Sequence, residues 1–168
     1  YAKYLWNLLH LDLGNSFIYK TETVWETIAR GWPATAKIGS VTLIIAFSIG
    51  IPVGIIAALR QNSLLDYTVT FLATTGITVP NFAVAVWLVM FVSVKMDLLP
   101  TQGWGTWQHM VLPVVAYSLA PTSLIARFTR VSMLEAMRSD YIRTARAKGL
   151  AEPVVILRHV FKNALIPI

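Results

Sequence analysis

The chain has 168 residues, 56% of them hydrophobic and only 13% charged, with a formal net charge of +6 and no cysteine. So apolar a composition excludes an ordinary soluble domain, and the missing cysteines exclude a disulfide framework or a thiolate metal site. The basic excess fits loops lying beside anionic lipid, and no nucleic acid is expected as a partner, because no basic patch comes with a soluble fold to present it.

Residues 1–33 are aromatic-rich and polar in patches, and contain no spanning segment. They do not read as a signal peptide, since no basic leader precedes a long apolar run. Thr23-Val24-Trp25-Glu26 fits a capping box, in which a hydroxyl and a carboxylate satisfy the free amides at a helix start. The pattern predicts an extracytoplasmic segment 1–33 with a short helix over about 24–30, ended by Gly31-Trp32-Pro33. Trp25 and Trp32 suit the headgroup level, where an amphipathic ring meets both water and lipid.

Residues 38–59, 67–94 and 110–126 contain no Asp, Glu, Lys or Arg. About 20 apolar residues in a helix cross a bilayer core of roughly 30 Å. None of the three intervals alternates as a barrel strand must, so an all-α membrane protein is predicted, with membrane helices between residues 34 and 137. The first helix covers about 34–59. Ala46, Gly50, Gly54 and Ala58 recur along it every four residues, a small-residue face suited to close helix packing.

After the polar turn Arg60-Gln61-Asn62-Ser63 comes a region, about 67–96, too long for one straight span. It breaks near Pro80, because proline removes an amide donor and disfavours helical geometry at Val79. A partly embedded helix to about Ile77 and a span from Phe82 to Met96 account for its length. Broken helices persist in membranes only where protein or water covers the freed backbone. Thr74, Thr75, Thr78, Pro80 and Asn81 are therefore either the lining of a translocation path or a kink covered by neighbouring helices. A loop with two glycines and two tryptophans leads to the third span, about 109–127, which contains Pro113 and Pro121 and extends to about 137. The three histidines share no ligand-like spacing, so no metal site is expected.

Basic residues near spans set orientation. Arg60, Arg127, Arg130, Arg138, Arg143, Arg146, Lys148, Arg158 and Lys162 fall on one side, nine of the 14 basic residues, and that side is expected to be cytoplasmic. Lys3, Lys20, Arg30, Lys37 and Lys95 fall on the other, diluted by Asp12, Glu22, Glu26 and Asp97. The chain thus starts outside, is inside at Arg60, outside at Trp104 and inside at Asp140.

The cytoplasmic loop, 138–162, is punctuated as two short helices. Asp140 is placed as an N-cap for 141–148, Gly149 as the left-handed residue that ends that helix, and Pro153 at the first position of the next. Ile142, Ala145 and Gly149 fall on one side at three- and four-residue spacing, a mildly apolar docking face. The loop either docks on a partner or lies on anionic headgroups.

Arg143-Thr144-Ala145-Arg146-Ala147-Lys148-Gly149-Leu150, followed by Arg158-His159 and Asn163-Ala164-Leu165-Ile166-Pro167, resembles the EAA loop of ABC-importer permeases. More narrowly it is similar to the oligopeptide/dipeptide/nickel group, which the Asp12-Leu13-Gly14-Asn15-Ser16 stretch and the Leu98-Leu99-Pro100…Gly103-Trp104 loop also match. Arg143 and Thr144 stand where the general motif has Glu and Ala, and the interval from Gly149 to Pro167 is longer; both departures are usual in the peptide group. The resemblance implies part of a type I ABC-importer transmembrane domain in a prokaryotic cell membrane. On that resemblance its other spans would be expected before Tyr1 and after Ile168, with residues 163–168 starting the next one. It implies a permease subunit that moves dipeptides or oligopeptides, with nickel or glutathione-like substrates as alternatives.

The implied partners are a second permease subunit, two cytoplasmic P-loop ATPase subunits and an extracytoplasmic substrate-binding protein. Residues 143–150 would couple to the ATPase: Arg143, Arg146 and Lys148 at the rim of its groove, Gly149 at the point of close approach, and Ala145 and Ala147 keeping the helix slim. This chain has no G-x-x-x-x-G-K-S/T loop, so no catalytic residue and no cofactor is expected in it, ATP and Mg²⁺ belonging to the partner subunits. An ion-coupled carrier is disfavoured by spans free of ionisable residues, and a non-transporting anchor by the broken second region.

Overall fold

A computed structural model describes residues 2–19 and 21–166. Lys20, assigned above to the outer side, and Pro167, which closes the loop motif, lie outside the described residues, as do Tyr1 and Ile168. The chain divides into two compact units, residues 1–40 and 41–168, with the boundary inside one helix.

In the first unit, α1 (Ala2–Leu9) leads into a loop tied by its own polar groups. The Asp12 carboxylate accepts from the amide of Gly14, whose φ of +72° suits a residue without Cβ. Asn15 and Thr23 form an isolated antiparallel bridge, and Trp25 Nε1 donates to the Leu11 carbonyl at 2.7 Å. The capping box forms as expected: the Thr23 amide donates to Glu26 Oε2 at 2.7 Å, and the Glu26 amide to Thr23 Oγ1 at 3.2 Å. Its helix does not stop at Gly31-Trp32-Pro33. It continues without a break as α2 (Val24–Leu59). An interior proline forfeits one amide bond, whereas ending the helix there strands four carbonyls and starting another strands four amides.

In the second unit the remaining helices gather around α5 (Gln108–Met137), which carries Pro113 and Pro121 inside it and reaches Met137 as predicted. The small-residue face of α2 is buried at Ala46, Gly50, Gly54 and Ala58. A Cβ on Gly50 would stand 2.9 Å from the Thr122 carbonyl, and one on Gly54 2.5 Å from that of Ala126. α3 (Leu64–Thr78) meets the same helix at Gly76, where a Cβ would collide with Ser123 Oγ. Three glycine contacts thus let the backbones of α2 and α3 approach α5 closely.

The second apolar region breaks where proline predicts. α3 ends at Thr78, Val79 and Pro80 are extended, and α4 (Asn81–Lys95) leaves at 95°. α4 is α-helical to Leu88 and π-helical over Val89–Lys95. The loop segment follows as α6 (Asp140–Ala147) and α7, whose turns run through Glu152–Val154, Val155–Phe161 and Lys162–Ala164 in succession, the middle stretch again π-helical. At this end one apolar cluster joins Ala58 of α2, Met133 and Ala136 of α5, Ile142 and Ala145 of α6, and Val155, Val160 and Ala164 of α7.

Candidate functional site

The loop helix starts one residue earlier than its sequence suggests. Ser139, not Asp140, is the N-cap, and its hydroxyl donates backward to the Ala136 carbonyl at 2.6 Å instead of capping an amide. Asp140 takes the first helical position, where a carboxylate suits the positive end of the helix dipole. At the other end Gly149 has φ +76°, and its amide donates to the Arg146 carbonyl at 2.9 Å, so the left-handed turn lies where expected. Pro153 stands second in α7, not first as expected, because Ala151 is the N-cap and Glu152 the first helical residue.

The expected docking face is corrected. Ile142 is 0% exposed and Ala145 6%, both turned into the chain's own apolar cluster. Three- and four-residue spacing picks out one side of a helix but not what covers it, and here the side without charge covers the end of α5. The opposite side, Arg143, Thr144, Arg146, Ala147 and Lys148, is exposed, together with Gly149 and Leu150 beyond the helix. Among the described residues, its two chain neighbours aside, nothing lies within 4 Å of the position a Gly149 Cβ would take. Arg143 faces Asp140 at 3.6 Å with both side chains in solvent, a pair of little energetic weight.

Arg146 is engaged more closely. Its Nε donates to Glu152 Oε2 at 3.1 Å and its Nη2 to Oε1 at 2.5 Å, across the Gly149 turn. The guanidinium hydrogen bond holds the Glu152 carboxyl below the usual carboxylate range and raises Arg146 in return. With the carboxyl pKa depressed, what the pair contributes is present above the unfolded-state pKa and is lost as pH falls through the folded one. Both groups are therefore charged throughout the neutral range.

The candidate path residues are placed separately. Thr74, Thr75 and Thr78 donate their hydroxyls to the carbonyls of Thr70, Phe71 and Thr74 at 2.8–2.9 Å, so each is satisfied within its own helix. Thr75 lines an apolar groove of about 440 Å³ with Ile45, Ile49, Leu72, Leu119 and Thr122. Thr74, Thr78, Pro80 and Asn81 line neither that groove nor a second cavity of about 220 Å³ bounded by Val89, Gly103, His109 and Tyr117. His109 is held there by Thr106, Nδ1 to Oγ1 at 2.7 Å.

One constellation is absent from the reading of the sequence. Asp66, in the first turn of α3, is 1% exposed and receives a two-point bond from Arg130 of α5, Nε to Oδ1 at 2.5 Å and Nη2 to Oδ2 at 2.8 Å. The Asn62 amide adds a third bond at 3.0 Å, and Ser63 Oγ accepts from the Asp66 amide at 3.3 Å. Ser63-x-x-Asp66 is a helix-start signature that could have located the carboxylate. Nothing local could have named Arg130, 64 residues away, as its partner. Arg130 lies one turn before Met133, so the pair ties the start of α3 to α5 directly beside the cluster under the loop.

Residues 50–168 match the family described as binding-protein-dependent transport system inner membrane component. Over its whole length the chain is 47% identical to the oligopeptide transport system permease protein OppB of Salmonella typhimurium, covering 56% of that protein. The OppB of Escherichia coli K12 gives the same two figures, 47% and 56%. The dipeptide transport system permease protein DppB of Bacillus subtilis is 40% identical over all of this chain and 54% of its own length. The chain thus spans about half the length of the curated relatives it matches.

Proposed function

The chain belongs to the family of binding-protein-dependent transport system inner membrane components, its helices forming part of a type I ABC-importer transmembrane domain, and from that premise we propose that it serves a permease subunit of an ATP-driven peptide importer. The relatives' names, oligopeptide and dipeptide permease, support peptides as the cargo. In this reading a binding protein delivers the peptide outside, a second permease subunit completes the path, and two cytoplasmic subunits hydrolyse ATP with Mg²⁺. The break at Val79–Pro80 is assigned to the path on its interrupted backbone, which water or protein must cover in a membrane, and not on a cavity, since Thr78, Pro80 and Asn81 line neither of the two described.

The single observation that carries the coupling role is the division of α6 into two sides. Ile142 and Ala145 anchor it in the cluster that also holds the end of α5. Arg143, Thr144, Ala147, Lys148, Gly149 and Leu150 are left in solvent for the ATPase subunit. A push on the exposed side is passed to Met133 and Ala136 through the side chains of that cluster, because close-packed interiors transmit displacement.

Gly149 tests this reading. In the full-length complex, Gly149→Val should insert and assemble normally yet lose most of the ATP hydrolysis stimulated by loaded binding protein. Gly149→Asn separates the causes, since asparagine tolerates the left-handed conformation but adds bulk. If Asn uncouples as Val does, the glycine is required for close approach; if Asn couples normally, it is required for the turn. Normal stimulation in Gly149→Val would end the coupling assignment.

Orientation is checked independently. A cysteine at Ser139 in the otherwise cysteine-free chain should react with an impermeant maleimide only in inside-out vesicles. Labelling in right-side-out cells would invert the topology.

A further inference from the structure

The bond between Arg146 and Glu152 bridges two helices that do not need it for stability. α6 is anchored by Ile142 and Ala145, and α7 by Val155 and Val160, each in the common cluster. The two charged side chains are 42% and 52% exposed, and a pair so open to solvent adds little to stability. What a two-point guanidinium–carboxylate contact adds is geometry, because the planar fork fixes both separation and direction. It spans residues 147–151, the segment that contains the left-handed Gly149 and carries exposed Lys148 and Leu150.

Arg146 thereby differs from its neighbours. Lys148 and Arg143 extend into solvent, Arg143 with only a 3.6 Å contact to an Asp140 side chain that is 97% exposed. Two of the Arg146 donors instead turn back onto the same chain. We propose that Glu152 is a positioning residue for coupling: by holding Arg146 across the turn it presets the shape in which Lys148, Gly149 and Leu150 meet the ATPase subunit. The charge of Arg146 is satisfied within the loop and is not a contact to that subunit. This rests on the coupling reading above and amends it at one residue, leaving Arg143 and Lys148 as the cations at the rim.

The test is a titration of the purified ATPase subunit onto the full-length permease pair, measuring the fraction bound. Glu152→Gln and Arg146→Gln should each raise the dissociation constant about fivefold, which is roughly 1 kcal/mol, with the melting temperature of the permease unchanged. The exchanged pair, Arg146→Glu with Glu152→Arg, rebuilds the strap with its charges reversed and should return binding to near the wild-type value. Wild-type binding by Glu152→Gln overturns the proposal, and so does an exchanged pair no better than the single variants, since Arg146 would then itself touch the partner. Gly149→Val, read in stimulated ATP hydrolysis, keeps the two ideas apart. If it loses stimulation while Glu152→Gln binds as the wild type does, the strap alone fails; if Gly149→Val is stimulated normally, the coupling assignment fails with it.

Discussion

Asp66→Ala and Arg130→Ala should each destabilise the full-length protein by about 3–5 kcal/mol, because removing one partner leaves the other charge buried and unpaired. Asp66 is the more enclosed of the two, with 2% of its side chain exposed against 22% for Arg130, so Arg130→Ala should cost more. Its carboxylate would keep only the Asn62 amide, whereas a stranded Arg130 can still reach solvent. The double variant Asp66→Leu/Arg130→Met removes both charges and should recover most of the loss. Denaturant unfolding in detergent measures the cycle. Single variants whose effects simply add would mean that the two side chains do not act as a pair.

Gly54→Ala should be the most damaging of the small substitutions. Alanine favours a helix over glycine by about 1 kcal/mol, so an uncrowded site gains from the change. At Gly54 the new methyl would lie 2.5 Å from the Ala126 carbonyl and 2.6 Å from Thr129 Cβ, and neither is a flexible chain end. α2 and α5 must separate to admit it, at a net cost of about 1–3 kcal/mol. Gly39→Ala serves as the control, because a Cβ there meets nothing within 4 Å. Equal melting temperatures for Gly54→Ala and Gly39→Ala would contradict the packing described for α2 on α5.

Features written in neighbouring residues were legible in advance. The capping box at Thr23 and Glu26, the break at Val79–Pro80 and the left-handed Gly149 each depend on a hydroxyl, a missing amide or a missing Cβ within a few positions. The stripe of Ala46, Gly50, Gly54 and Ala58 was legible as well, as a face that must pack. What it packs on was not. The end predicted at Gly31-Trp32-Pro33 fails for a related reason, since propensity weighs residues singly while a continuous helix keeps the bonds of all its neighbours.

Sequence alone was enough to read an all-α membrane protein with three long apolar regions, the second broken at a proline, and a basic helix–turn–helix after the third. Periodicity, charge and backbone chemistry act over a turn or two, and these are properties of that range. Which side of α6 is buried, and that Asp66 closes on Arg130, depend on how the helices pack. So does the tie of Arg146 to Glu152 across the turn. Each of these joins separate helices, and a side chain's partner across such a gap is fixed by how the helices pack on α5 and under the loop, not by its neighbours in the chain.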